Sequence, residues 1–147
     1  MPVQVREAVR VDPVLLEVIR NALVEATEEM GVTLRRSAYS TNIKTRADFS
    51  CVFFDERLRC VAQGFAQPTH LGSMVEIVPR VVRAYRRPLE PGDTIVSNHP
   101  FLGGVHLNDI TVTSPVYYDA ELLGYVANLA HHVDVGGGAP ASVGTFR

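Results

Sequence analysis

Residues 109–131 read Asp-Ile-Thr-Val-Thr-Ser-Pro-Val-Tyr-Tyr-Asp-Ala-Glu-Leu-Leu-Gly-Tyr-Val-Ala-Asn-Leu-Ala-His, and this stretch decides the fold. Two runs rich in Val, Thr, Tyr and Leu, Ile110–Tyr117 and Leu122–His131, flank the polar centre Tyr118–Glu121. Runs of that length and composition around a short polar break predict an antiparallel hairpin. If the turn occupies residues 118–121, Asn108 faces His131 and Asp109 faces Ala130. A turn of residues 119–121 sets Asp109 directly opposite His131. Either register puts a carboxylate beside the pair His131-His132 at the open end of the hairpin, where opposed Cβ atoms lie about 4.5–5.5 Å apart.

Just upstream stands Gly103-Gly104-Val105-His106-Leu107-Asn108-Asp109, and just downstream His131-His132-Val133-Asp134-Val135-Gly136-Gly137-Gly138. His106 follows two glycines and precedes Asp109 by three residues, so a bend in the backbone brings it over the same point. Two imidazoles and a carboxylate are three ligands that leave positions open for water or substrate, the pattern of a catalytic metal site. Neighbouring strand residues face opposite ways, so His131 and His132 do not both bind one ion by regular geometry. His131 is the expected ligand with His106 and Asp109. His132 is then the candidate acid/base, with Asp134 orienting an imidazole. His70 and His99 stand alone in loops by this reading.

Working outward, Leu89–Asp93 is a turn and Thr94–Ser97 a short strand. A helix is expected from about Ser73, where Ser73 and Glu76 have capping-box spacing, to Arg87-Pro88, with a kink or late start at Pro79. Gly64–Gly72 reads as a loop. Phe49–Phe54 and Arg59–Gln63 form a second hairpin around Asp55–Leu58. Ser40–Asp48 is polar and turn-rich, and its Lys44, Arg46 and Asp48 can line a substrate channel. Asp12 is a helix N-cap with Pro13 at the first helical position. Leu15, Val18, Ile19, Ala22, Leu23, Ala26, Met30 and Leu34 then recur at helical spacing to about Tyr39, with Gly31 a weak point. The fold class is α+β: a long N-terminal amphipathic helix packed with short antiparallel hairpins. The expected organisation is an extended arm over 1–11, one domain over 12–135 and a glycine-rich segment over 136–147. The loop-like end suggests an incomplete portion of a larger fold.

Composition narrows the function. With 147 residues, 46% hydrophobic and 20% charged, the chain can bury a core. A net charge of −2 without a basic stripe argues against nucleic acid. No apolar run approaches the ~18 residues of a membrane span, and the N-terminus lacks a signal-peptide core, so a cytoplasmic protein is expected. Cys51 and Cys60 are then reduced, buried thiols.

Several ordered blocks resemble the N-terminal portion of the hydantoinase B/oxoprolinase family: Asp12–Ile19, Ser40–Lys44, Arg46–Ser50, His70–Met74, both histidine motifs and the glycines at 136–138. The resemblance implies an ATP-dependent enzyme of two kinds of subunit. An A-type subunit binds ATP, and the B-type, which this chain resembles, carries a metal. Family members open cyclic amides such as hydantoins and 5-oxoproline, or carboxylate ketones, as acetone and acetophenone carboxylases do. In the ketone-carboxylase branch a manganese ion is held by a His-x-x-Asp pair and a later His, which correspond to His106, Asp109 and His131. Zinc is the other candidate. Two departures stand out: His99 occupies a position where members commonly have Asp, and B-type subunits are several times longer. The function expected is a portion of a B-type subunit of an ATP-dependent cyclic-amide hydrolase. It would work with an A-type companion, the remainder of its own subunit and a small-molecule substrate. A ketone carboxylase and a non-catalytic assembly fragment are the alternatives.

Overall fold

The computed structural model describes residues 11–64, 67–102 and 104–139. All but the last residue of the expected arm over 1–11, and the last residues of the glycine-rich segment, lie outside these. Helix α1 spans Pro13–Ser37, and the Asp12 side chain caps it by accepting from the Val14 N–H at 2.9 Å. A short helix α2, Thr41–Lys44, follows where a plain polar turn was expected. Strands β1 (Phe49–Asp55) and β2 (Cys60–Gln63) form the first hairpin. Helix α3 spans Pro68–Ala84, strand β3 Ile95–Ser97, and a single 3-10 turn Pro100–Leu102. Strands β4 (Asp109–Tyr118) and β5 (Glu121–His131) complete the sheet.

The five strands run in the order β2-β1-β5-β4-β3, every neighbouring pair antiparallel. The α+β class is therefore observed, with β5 central between β1 and β4. Alternation along β1 sorts the two faces. Phe49 and Cys51 join Met30, Leu34, Ile43 and Ala130, placing α1 and α2 on one side. Val52 and Phe54 join Met74, Ile77, Val78, Val81, Ala127 and Leu129, placing α3 on the other.

Three features differ from the sequence reading. Helix α3 starts at Pro68, not Ser73, because Pro68 takes the first helical position after the extended Gln67. It runs through Pro79, which removes one hydrogen bond without ending the helix. The apolar stripe of α1 is only half used: Leu15, Val18 and Ile19 remain exposed, while Thr27, Met30 and Leu34 meet the sheet. No helix among the described residues is long and apolar enough to cross a membrane. Both cysteines are free, and burial pushes the Cys51 thiol up to about 11.

The β4–β5 hairpin combines the two registers considered from sequence. Tyr118 pairs with Glu121 and Tyr117 with Leu122 around a two-residue turn, Asp119 and Ala120, both at positive φ. The register then shifts, so that Val116 pairs with Gly124 and Leu123 is passed over. That bulge carries Asp109 opposite His131. It depends on Gly124, where a Cβ would overlap the Phe54 carbonyl oxygen of the neighbouring strand. Gly124→Ala is therefore expected to lower stability by about 2 kcal/mol, read as a reduced denaturant midpoint. Gly72→Ala, on the open side of α3 where a Cβ meets nothing within 4 Å, is the control. It should raise stability by about 0.5–1 kcal/mol.

Candidate metal centre

Asp109 begins β4 and His131 ends β5, so the pairing register alone sets them face to face at one edge of the sheet. They share the α3 side, continuing the row that includes Leu129 and Ala127. The Asp109 side chain is fully buried. Its Oδ1 lies 2.7 Å from His131 Nδ1, and its Oδ2 accepts from the His106 backbone N–H at 2.9 Å. The His106 ring then folds back, its Nδ1 3.5 Å from Oδ2 and its plane perpendicular to that of His131. The backbone bend expected from the glycines before His106 is realised by this short loop, closed by the Asp109 N–H donating to the His106 carbonyl.

His106, Asp109 and His131 each offer one donor atom within 4.8 Å of the other two. The donor chemistry fits a divalent first-row cation: two imidazoles and a carboxylate, with His106 exposed and therefore an open side. The charge balance fits as well. A buried carboxylate requires a compensating positive group, and the ion-pair contacts of Asp109 among the described residues are both with imidazoles. A cation held between the three would supply the missing charge.

The other expected site residues are placed differently. His132 lies on the α1 side of the strand end, lining a hollow with Leu34, Ser40, Ile43 and Ala130. Its N–H donates to the Asn108 carbonyl, and its own carbonyl accepts from the Asn108 side-chain amide at 3.0 Å. Asp134 lies beyond β5 and accepts from the Gly136 N–H. His99 precedes the 3-10 turn and packs edge-on against Phe101.

His70 is the residue that sequence reasoning left out. Read as a loop histidine, it sits in the first turn of α3, buried on the same side of the sheet as the three donors. Its Nε2 is 3.6 Å from Asp48 Oδ1. Burial lowers its pKa, while the nearby carboxylates of Asp109 and Asp48 pull the other way. Asp48 is itself tied to the donor set, because its carbonyl accepts from the His131 N–H at 3.0 Å. The signal was the block His70–Met74, which marked the resemblance without revealing where that histidine would point.

The hydantoinase B/oxoprolinase family model matches residues 12–146. The chain belongs to the hydantoinase B/oxoprolinase family. The 5-oxoprolinase of Saccharomyces cerevisiae is 42% identical over 134 residues, covering 90% of this chain and 10% of that protein. Caprolactamase subunit beta of Pseudomonas jessenii is 34% identical over 131 residues, covering 89% of this chain and 22% of the subunit. The crystal structure of that ATP-dependent caprolactamase superposes with a TM-score of 0.81 over 90% of this chain and 23% of the other. Nucleotide-free acetone carboxylase shares the fold at 19% identity, with a TM-score of 0.76 over 85% of this chain and 17% of the other. The chain thus spans 10% to 23% of the length of these relatives.

Asn108 couples the two sides of the site, bonding His132 by both backbone and side chain. Asn108→Ala leaves the His132 carbonyl without the amide donor. The expected loss is about 1–2 kcal/mol, measured as a lower denaturant midpoint at unchanged slope.

Proposed function

We propose that this chain forms the metal-bearing part of a B-type subunit in an ATP-dependent enzyme that hydrolyses cyclic amides. The observation that carries the reading is the buried Asp109 carboxylate between His131 and His106, a donor set whose charge a divalent cation would complete. Relatives named 5-oxoprolinase and ATP-dependent caprolactamase support a lactam substrate. The designation of one of them as a subunit beta supports a companion subunit of A type, which would bind ATP. We assign manganese first and zinc second to the site, manganese on the resemblance to the ketone-carboxylase branch and zinc because two imidazoles and a carboxylate suit it as well.

A lactam resists water because its nitrogen lone pair is delocalised into the carbonyl. In the proposed reaction the lactam oxygen attacks the γ-phosphorus of ATP and ADP departs. Water adds at the activated carbon, and the C–N bond breaks as nitrogen takes a proton, leaving an acyl phosphate. A second water releases phosphate and the open-chain amino acid. When bound, the cation supplies Lewis-acid polarisation to an oxygen at the site. Asp109 holds the His131 ring and the His106 loop in place, so the donors are fixed before any ligand arrives. His132, which faces away from the donor trio, is assigned proton exchange with solvent and Asp134 the orientation of an imidazole. From its position, His132 serves solvent on the α1 side of the strand end.

The shared fold with acetone carboxylase brings ketone carboxylation into the test, since the same donors suit polarisation of a ketone. The expected outcome for the assembled enzyme is phosphate release that rises with a hydantoin, 5-oxoproline or a simple lactam and does not require bicarbonate. Phosphate release that depends on ketone and bicarbonate together would replace hydrolysis by carboxylation. Metal is tested separately. Elemental analysis should find one divalent ion per chain, lost in Asp109→Asn, His106→Ala and His131→Ala and retained in His132→Ala. Manganese at a hundredfold excess over its dissociation constant should raise stability by about 2.7 kcal/mol in the wild type, and by nothing in Asp109→Asn.

A further inference from the structure

The side of the sheet that faces away from the donors is roofed over only part of its width. Among the described residues the helices on this side, α1 and α2, pack on β1, β2 and β5. A helix with its side chains is about 10–12 Å across and strands lie about 4.8 Å apart, so one helix covers about two strands. The register shows where the cover runs out. Cys51, Asn128, Val112 and Val96 stand opposite one another in turn across β1, β5, β4 and β3, and opposed residues share a face. Along that row Cys51 is 2% exposed, Asn128 and Val112 are half-buried, and Val96 is 63% exposed. Between α1 and this open part runs a groove. One hollow of about 490 Å³ lies beside Ala26, Met30 and Thr33. A second, of about 420 Å³, shares Leu34, Ser37 and Asn128 with it and reaches Ile110 and Val112.

The α1 wall of this groove belongs to a longer stripe. Leu15, Ile19, Ala22, Ala26, Met30 and Thr33 recur at spacings of three and four, which sets them along one side of the helix. Its first three members are exposed, and the small Ala22 and Ala26 let another helix approach within the usual 8–10 Å between axes. We propose that a helix from the remaining part of a B-type chain lies alongside α1, filling the groove and roofing β4 and β3. The inference rests on reading this chain as part of a B-type subunit, and it names the surface through which that part joins the rest. Caprolactamase subunit beta matches this chain over only 22% of its own length, so a B-type chain has ample further sequence to supply the helix. Its chemistry is set by the groove: an apolar side to meet Ile19, Val112 and Val96, with one polar group placed for the Asn128 amide in the floor. Covering that amide without a partner is unfavourable, so Asn128 fixes the register of the incoming helix.

The test puts this chain into caprolactamase subunit beta in exchange for the stretch it matches. Maleimide labelling of Ile19→Cys and Val96→Cys is followed by peptide mass spectrometry in the free chain and in the exchanged subunit. In the free chain both positions should label about as fast as Arg20→Cys, an exposed position on the polar side of α1. In the longer chain both should slow about tenfold or more, because a covered thiol reacts only when the contact opens, while Arg20→Cys keeps its rate. Unchanged rates at Ile19→Cys and Val96→Cys, or equal slowing at Arg20→Cys, would overturn the proposal. Slowing in the free chain that grows with its concentration would seat a second copy on this face and overturn it as well. The buried Cys51 reports folding, since it stays unlabelled only where the chain is intact. If Cys51 labels in the exchanged subunit, the shortened subunit beta is added in trans to the free chain and the two positions are judged by the same criteria. Labelling decides the docking surface whether or not a lactam is turned over, while phosphate release decides the hydrolase reading separately.

Discussion

A buried carboxylate at the end of a sheet is the constraint on which this structure turns. Asp109 has no exposed side-chain surface, and its two oxygens are engaged by His131 Nδ1 and by the His106 backbone N–H. Each of those groups comes from a different part of the fold: one from the last residue of β5, the other from the loop entering β4. The sheet therefore does more than present side chains. It brings two strand ends to one point and closes them around a negative charge that the core cannot leave uncompensated. A site built on paired strands is also more rigid than one built on loops, which suits a donor set that must hold its geometry before a ligand arrives.

How that point is reached explains what a linear reading can and cannot deliver. The alternation of Val, Thr and Tyr announces the β4–β5 hairpin, and the spacing to His131 brings a carboxylate and an imidazole to its open end. The choice of Asp109 over Asn108 as the partner of His131 is a matter of one residue. Counting from the turn cannot make that choice, because the pairing that starts at Tyr118 and Glu121 would have delivered Asn108. The bulge at Leu123 corrects it. Its cause is a third strand: Gly124 comes too close to the Phe54 carbonyl for any side chain, and that contact joins residues seventy apart. Non-local contacts of this kind leave only a lone glycine in the sequence as their trace.

The histidines show the same limit. His106, Asp109 and His131 were legible because two of them are close in sequence and the third is delivered by a hairpin. His70 was not, because its place depends on where α3 begins. Reading Ser73 and Glu76 as a capping box left His70 in a loop; Pro68 at the first helical position puts it in the first turn of the helix, buried on the sheet side. In α1 the periodicity marks an amphipathic helix correctly, yet says nothing of how much of the stripe this sheet can cover. A sheet edge reaches only the residues around Thr27, Met30 and Leu34, and Leu15, Val18 and Ile19 extend past it.

The relation to acetone carboxylase sharpens the question of specificity. At 19% identity the fold persists over 85% of this chain, so the scaffold is compatible with proteins named for different reactions. Specificity then cannot be read from the scaffold, nor from a donor trio that suits any oxygen-bearing electrophile. It has to come from groups beside the trio that make or refuse a second contact. A hydrogen-bonding site discriminates strongly because the wrong substrate leaves a buried polar atom unpaired. On this face the described residues hold two buried side-chain atoms without a partner, His70 Nδ1 in α3 and Thr113 Oγ1 in β4. The carboxylate at Asp109 thus fixes where the three donors converge, and selection is left to groups outside the trio.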